Sequence, residues 1–231
     1  MKRFWKTAEA NPVDGGWIIT LDRRPVKTPG RASLIVPTEA LARAIAEEWA
    51  RMDGEVDPGA MPLTAIANAA IDRVAPGREA SAAGLARYGE SDLICYRAEG
   101  PQGLLARQEA SWGALLAWAR RRYDVDFATT HGLTPVTQPP VTVERLAHAV
   151  GTLDPFRLAA LSPLVTIGGS LIIALAVLEK AVGCDQAWDA VSVDEHWQLE
   201  QWGADAVAEA ALADRRRDFL AAARFLELLD G

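Results

Sequence analysis

Between Leu158 and Leu178 the chain runs for twenty-one residues without a charge. At about 1.5 Å of rise per residue, one continuous helix of that length would cross the roughly 30 Å hydrocarbon layer of a membrane. Pro163, Gly168, Gly169 and Ser170 interrupt the run, so only Leu171 to Leu178 remains as a dense apolar helix. That helix would span about 12 Å, which predicts a central element buried in protein and no stable membrane insertion. The Gly168-Gly169-Ser170 step suits a close helix–helix crossing better than a nucleophile or an anion nest, because it lies in an uncharged apolar stretch.

A buried helix needs a body to bury it. The chain has 231 residues, 50% hydrophobic and 24% charged, with mean hydropathy +0.02. That is room for one large domain or two modest ones and excludes wholesale disorder. The formal charge is -7, which repels phosphate backbones and argues against nucleic acid as a partner. Cys95 and Cys184 stand far apart with no C-x-x-C spacing, so neither a disulfide framework nor a zinc knuckle is expected. The start, MKRFWKTAEANPVDGG, has no apolar signal region, which predicts an unprocessed cytoplasmic protein.

The first third reads as strands followed by helices. Trp17, Ile19 and Leu21 alternate with Ile18, Thr20 and Asp22, the period of a half-buried strand. Pro25 to Thr28 and Ser33 to Val36 read as two further strands around a Pro29-Gly30 turn. Thr38 is placed to cap a helix whose Leu41, Ile45, Trp49 and Met52 share a face and can cover the sheet. A second helix, Pro62 to Val74, stops before Ala75-Pro76-Gly77, and a domain boundary is placed there. Beyond it helices dominate. Leu104 to Tyr123 sets Trp112, Leu115, Leu116 and Ala119 on one face, Asp124 to Pro140 is an extended connection, and helices resume from Val143. The expected fold is α+β, with a mixed α/β domain over residues 1–75 and a mainly α-helical domain over 76–231.

Catalytic signatures are missing: the sequence has no P-loop, no dinucleotide fingerprint, no G-x-S-x-G elbow and no H-E-x-x-H. His131 reads as a loop residue and His148 as a helix-surface residue. His196 and Glu200 stand one helical turn apart, which permits a metal-dependent hydrolase using Glu195, His196 and Glu200 as the alternative from another class, although two or three donors make a weak metal site. The arginine runs 120–122 and 215–217 suit interhelical ion pairs or a solvated face. More informative is AWDAVSVDEHWQLEQWG. As one helix it sets Trp188, Val191, Glu195, Gln198 and Trp202 on a stripe, with Gly203 placed to end it. A carboxylate inside an aromatic stripe needs a cationic partner such as Arg217, a solvated edge, or another protein.

Five segments in this order, GWIITLDRRPVKTPGRASLIVPTEALARAIAEEW, PLTAIANAAID, SDLICYRAEGPQGLLARQEASWGALLAW, VDEHWQLEQWG and RRRDFLAAARFLELL, resemble the assembly-chaperone family that handles the α subunit of F-type ATP synthase. The resemblance implies a small mixed α/β domain followed by a helical one, no catalysis and no cofactor. It also implies transient binding of unassembled α subunit, shielding the apolar surface that the β subunit later covers. The family's sensitive acidic position falls on Glu195, within Asp194-Glu195-His196-Trp197-Gln198. Glu195, Asp194, Gln198, Glu200 and Trp202 are therefore the partner-binding candidates. Trp49, in the EEW motif, matches another sensitive position, and its helical stripe favours a folding role. Asp22-Arg23-Arg24-Pro25 departs from the family's Asp-Gly-Arg-Pro by lacking the glycine. The free chain is expected to be monomeric, in a bacterial cytoplasm; eukaryotic relatives would work in the mitochondrial matrix.

Overall fold

The computed structural model describes residues 2–203 and 205–231. They form two compact units, one made of the chain up to Arg78 with Asp154–Ala160 and Arg224–Gly231, the other of Glu79–Leu153 and Leu161–Ala223.

In the first unit, β1 (Ala8–Val13) and β2 (Gly16–Leu21) pair antiparallel along their whole length. The two-residue turn Asp14-Gly15 joins them, with Gly15 at φ +83. β3 (Arg24–Pro25) and β4 (Ile35–Val36) share the other edge of β2. The two strands expected there are thus cut to stubs, linked by a single Lys27–Ser33 bridge. The cause is a turn held from outside: Asp72 accepts hydrogen bonds from Thr28 Oγ1 (2.6 Å) and Gly30 N (2.7 Å). The glycine-free Asp22-Arg23 turn places both residues in the left-handed region, φ 46 and 67, as a type I′ hairpin requires. Asp22 offsets the strain by accepting from the backbone N–H groups of Lys6 and Thr7 at 2.9 Å, bonds that hold its carboxyl below the usual range.

Helix α1 (Glu39–Arg51), capped by Thr38 Oγ1, lays Leu41 and Ile45 on the sheet, where Ile19, Leu34 and Val36 complete a core almost without exposure. Its Glu48 is buried and points at the start of α2 (Pro62–Ala69), accepting from Leu63 N, Thr64 N and Thr64 Oγ1 at 2.7 to 2.8 Å. The carboxylate supplies the cap that Met61 lacks. A π-helical turn, Ala70–Val74, continues α2 to the expected end.

The second unit is helical apart from one parallel pair, β5 (Tyr96–Arg97) with β6 (Thr130–His131). Its helices are α3 (Arg78–Ala86), α4 (Gln102–Tyr123), α5 (Pro140–Gly151), α6 (Pro155–Gly168), α7 (Leu171–Leu178), α8 (Cys184–Val191), α9 (Val193–Trp202) and α10 (Ala206–Leu229). Helix α5 begins at Pro140, where a missing N–H costs nothing, and not at Val143. The uncharged run splits as expected: α6 ends at Gly168, Gly169 takes φ +63 and Ser170 caps α7. Leu171 to Val177 are buried on every side, with α4 and α8 packed against them. A Cβ on Gly168 would meet Val191 at 3.0 Å, so that glycine does serve a close approach. Among the described residues no helix is long and apolar enough to cross a membrane.

One more buried carboxylate organises this core. Asp92 has no exposure, and its oxygens accept from Ile94 N (3.2 Å) and from Ile172 N (3.0 Å) in the first turn of α7. Burial pushes it up to about 6 against these bonds. Helices α6 and α10 contribute residues to both units, so the units are discontinuous in sequence, whereas the expected domains 1–75 and 76–231 are continuous. The added stretches are bound into the first unit: Thr38 Oγ1 donates to the Leu228 carbonyl (2.6 Å), and Arg157 bridges Asp154 and Asp230 at 2.7 Å each.

Candidate functional site

The segment expected to form one helix is two. Ser192 leaves helical geometry (φ -104, ψ 20) and turns its hydroxyl back to the Trp188 carbonyl at 2.7 Å. Trp188 and Val191 point into the core, but the stripe does not continue, and Trp202 at the far end of α9 is 79% exposed. Gly203, at φ +86, ends the helix as its position suggests.

One face of α9 is fastened to α4 by polar bonds. Gln108, 1% exposed, accepts from Ala98 N (2.8 Å) and donates from Nε2 to Asp194 Oδ1 (2.7 Å). Nearly two turns farther along α9, Arg107 holds Glu200 with two bonds of 2.8 and 2.6 Å and lies over the Trp197 ring, 4.8 Å from its centre. Those bonds keep the Glu200 carboxyl below its ordinary value and raise the guanidinium. Trp197 in turn covers Gly103, where any Cβ would lie 2.6 Å from the ring. Behind the junction Trp112 Nε1 donates to the Ala190 carbonyl at 2.7 Å.

The opposite face turns to α10. Glu195 accepts from Arg215 Nη1 at 2.8 Å, and the same guanidinium donates to the Ile167 carbonyl at 3.1 Å. The expected partner, Arg217, is taken by Asp214 and Asp218. Arg216 pairs with Asp185 at 2.7 Å, so the run 215–217 is spent on ion pairs. Gln198 is exposed, as is Trp202, while Asp194 and Glu195 are half-buried.

These bonds decide what the residues can do. Glu195 is paired with Arg215 and Glu200 sits in the fork of Arg107, and among the described residues no group of three His, Cys, Asp or Glu could hold a metal. The hydrolase reading therefore loses its ligands to ion pairs. His131 lies in β6 with Nδ1 3.1 Å from the Ala98 carbonyl, and His148 is on the exposed side of α5. Trp49 is half-buried against the edge of Trp5, 5.2 Å between ring centres, and its carbonyl accepts from Trp5 Nε1. Gln108 and Arg107 were not among the candidates. The signal for Gln108 was present, because it stands in register with Trp112, Leu115 and Ala119 on an apolar helix face where a polar side chain needs a buried partner.

Comparison with known proteins bears on the same segments. The family model described as ATP12 chaperone protein matches residues 2–120. The crystal structure of Atp12 from Paracoccus denitrificans superposes with TM-score 0.93 at 44% identity, covering 99% of this chain and 98% of that one. The chain belongs to the ATP12 chaperone family. A mutant of the same Paracoccus protein gives the same TM-score, and an Agrobacterium tumefaciens protein gives 0.94 at 36% identity over 99% of this chain and 86% of that one. The mitochondrial protein atp12 of Schizosaccharomyces pombe is 26% identical over 214 residues, 87% of this chain and 74% of that protein. ATP12 is the family of ATP synthase assembly chaperones that the sequence motifs resemble, and the α+β fold is the one that its solved member has.

Proposed function

We propose that this ATP12 protein binds the unassembled α subunit of F-type ATP synthase and shields its apolar interface until the β subunit replaces it. The observation that carries the reading is the likeness, over nearly its whole length, to a solved Atp12. The chemistry is stoichiometric capping. An obligate subunit interface is more apolar than ordinary surface, so an orphan subunit aggregates unless covered, and the cover must yield to the larger native interface. The contact is assigned to α9, with Glu195 as anchor and Asp194, Gln198, Glu200 and Trp202 around it. Trp49 supports the fold through Trp5. The chain works without a cofactor, as a monomer, in the cytoplasm.

The test is co-expression of tagged chain with single ATP synthase subunits. Retention of soluble α, and not β, is the expected result; retention of β alone overturns the reading. Glu195→Lys should keep the melting temperature within a few degrees, because the Arg215 pair is half-exposed and contributes at most about 1 kcal/mol, while the soluble yield of α falls severalfold. An unchanged yield removes Glu195 from the site.

A further inference from the structure

Helix α10 starts in an unusual way. Every residue from Ala206 to Asp214 is exposed except Leu212, which is half-buried. Farther on Phe219, Ala222 and Ala223 are buried in the second unit. Five alanines in those nine positions, and Asp205 accepting from Val207 N at 3.1 Å, keep the segment helical without packing. Beside it α9 ends on Trp202. Trp202 and Val207, 79% and 77% exposed, thus flank the α9–α10 corner as two large apolar side chains left in water.

Charge narrows what such a corner can meet. From residue 181 to 214 the sequence has eight Asp and Glu and no Lys or Arg. Asp185, Glu195, Glu200 and Asp214 are neutralised by arginines. Asp205 and Glu209, in the same stretch of chain, form no ion pair among the described residues. Two exposed apolar side chains in a stretch whose Asp205 and Glu209 are unpaired are repelled by anionic lipid and complement a protein surface that joins apolar and basic groups.

We infer that the α9–α10 corner, formed by Trp202, Asp205, Val207, Glu209 and Leu212, docks onto an apolar surface bordered by Lys and Arg side chains on the bound α subunit. This rests on the α-subunit reading above and extends its contact from α9, anchored at Glu195, to the start of α10; the bonds of Glu195, Glu200 and Asp194 to Arg215, Arg107 and Gln108 also hold α9 in place beside the corner. Trp202 supplies a rigid aromatic anchor, and the small alanine face lets the partner approach closely.

The experiment titrates purified α subunit with wild-type chain, with a Val207→Lys/Glu209→Lys double variant and with Trp202→Ala, at low and high salt. Circular dichroism and melting curves should match for all three, since the altered side chains are exposed. The double variant should bind at least tenfold more weakly at low salt and lose the salt dependence of the wild type, and Trp202→Ala should weaken binding at both salts. Wild type that binds no α subunit overturns the proposed function and this inference with it. Wild type that binds while both variants bind equally well overturns the docking surface alone. Variants that keep α binding but change sedimentation show a contact between copies of the chain, which also overturns it.

Discussion

Helix α7 and the first nine residues of α10 both lack the one-sided apolar stripe of an ordinary surface helix, and they solve the problem in opposite ways. Leu171 to Val177 are apolar all round and buried all round, their free N–H groups met by Ser170 and Asp92. Ala206 to Asp214 are mostly alanine, with Val207 and Leu212 as the only large apolar side chains, and almost wholly exposed, with helical propensity in place of packing. A helix without a stripe is thus either the centre of a structure or a surface still lacking its complement.

The contrast can be broken or sharpened by experiment. Leu175→Ala in α7 should cost about 3 to 4 kcal/mol in urea unfolding, because the side chain is 1% exposed and its neighbours cannot collapse onto the gap; a loss below about 1 kcal/mol would deny α7 its central place. Asp92 comes next. Its carboxyl is raised from 3.8 to about 6 by burial, so its stabilising contribution is complete below pH 4 and fades as pH rises through 6. The stability advantage of wild type over Asp92→Asn should therefore be about 2 kcal/mol larger at pH 4 than at pH 7, and a gap that does not change with pH removes the assignment. Ala210→Gly should lower the free energy of local opening at 206–214 by about 1 kcal/mol, read from amide exchange, without touching exchange in α7. Val207→Lys should move global stability by less than about 0.5 kcal/mol, and a larger loss would place the side chain in a core.

Where a rule of local chemistry acts alone, the fold was legible: the break at Gly169-Ser170, the Thr38 cap, the buried face of α4 and strand β2 all follow from residue type and period. Strand β1 was missed because Glu9, Asn11 and Pro12 favour no strand; only the length of pairing with β2 makes it one, and the Asp14-Gly15 turn was the clue. The site was less legible for a different reason. Glu195 faces Arg215 and not Arg217, and Glu200 meets an arginine 93 positions away. Which member of a charge run turns inward depends on the rotation of one helix against another, and periodicity within each helix does not contain it. The break at Ser192 likewise depends on a hydroxyl finding the Trp188 carbonyl.

A protein that carries a sticky corner through a crowded cell must not stick to itself. Asp205 and Glu209, both unpaired among the described residues, give two such corners the same sign, so close encounters between identical molecules are opposed before the tryptophans meet. Concentrated salt screens that guard, and under those conditions the nearest surface such a corner is expected to meet is its own copy.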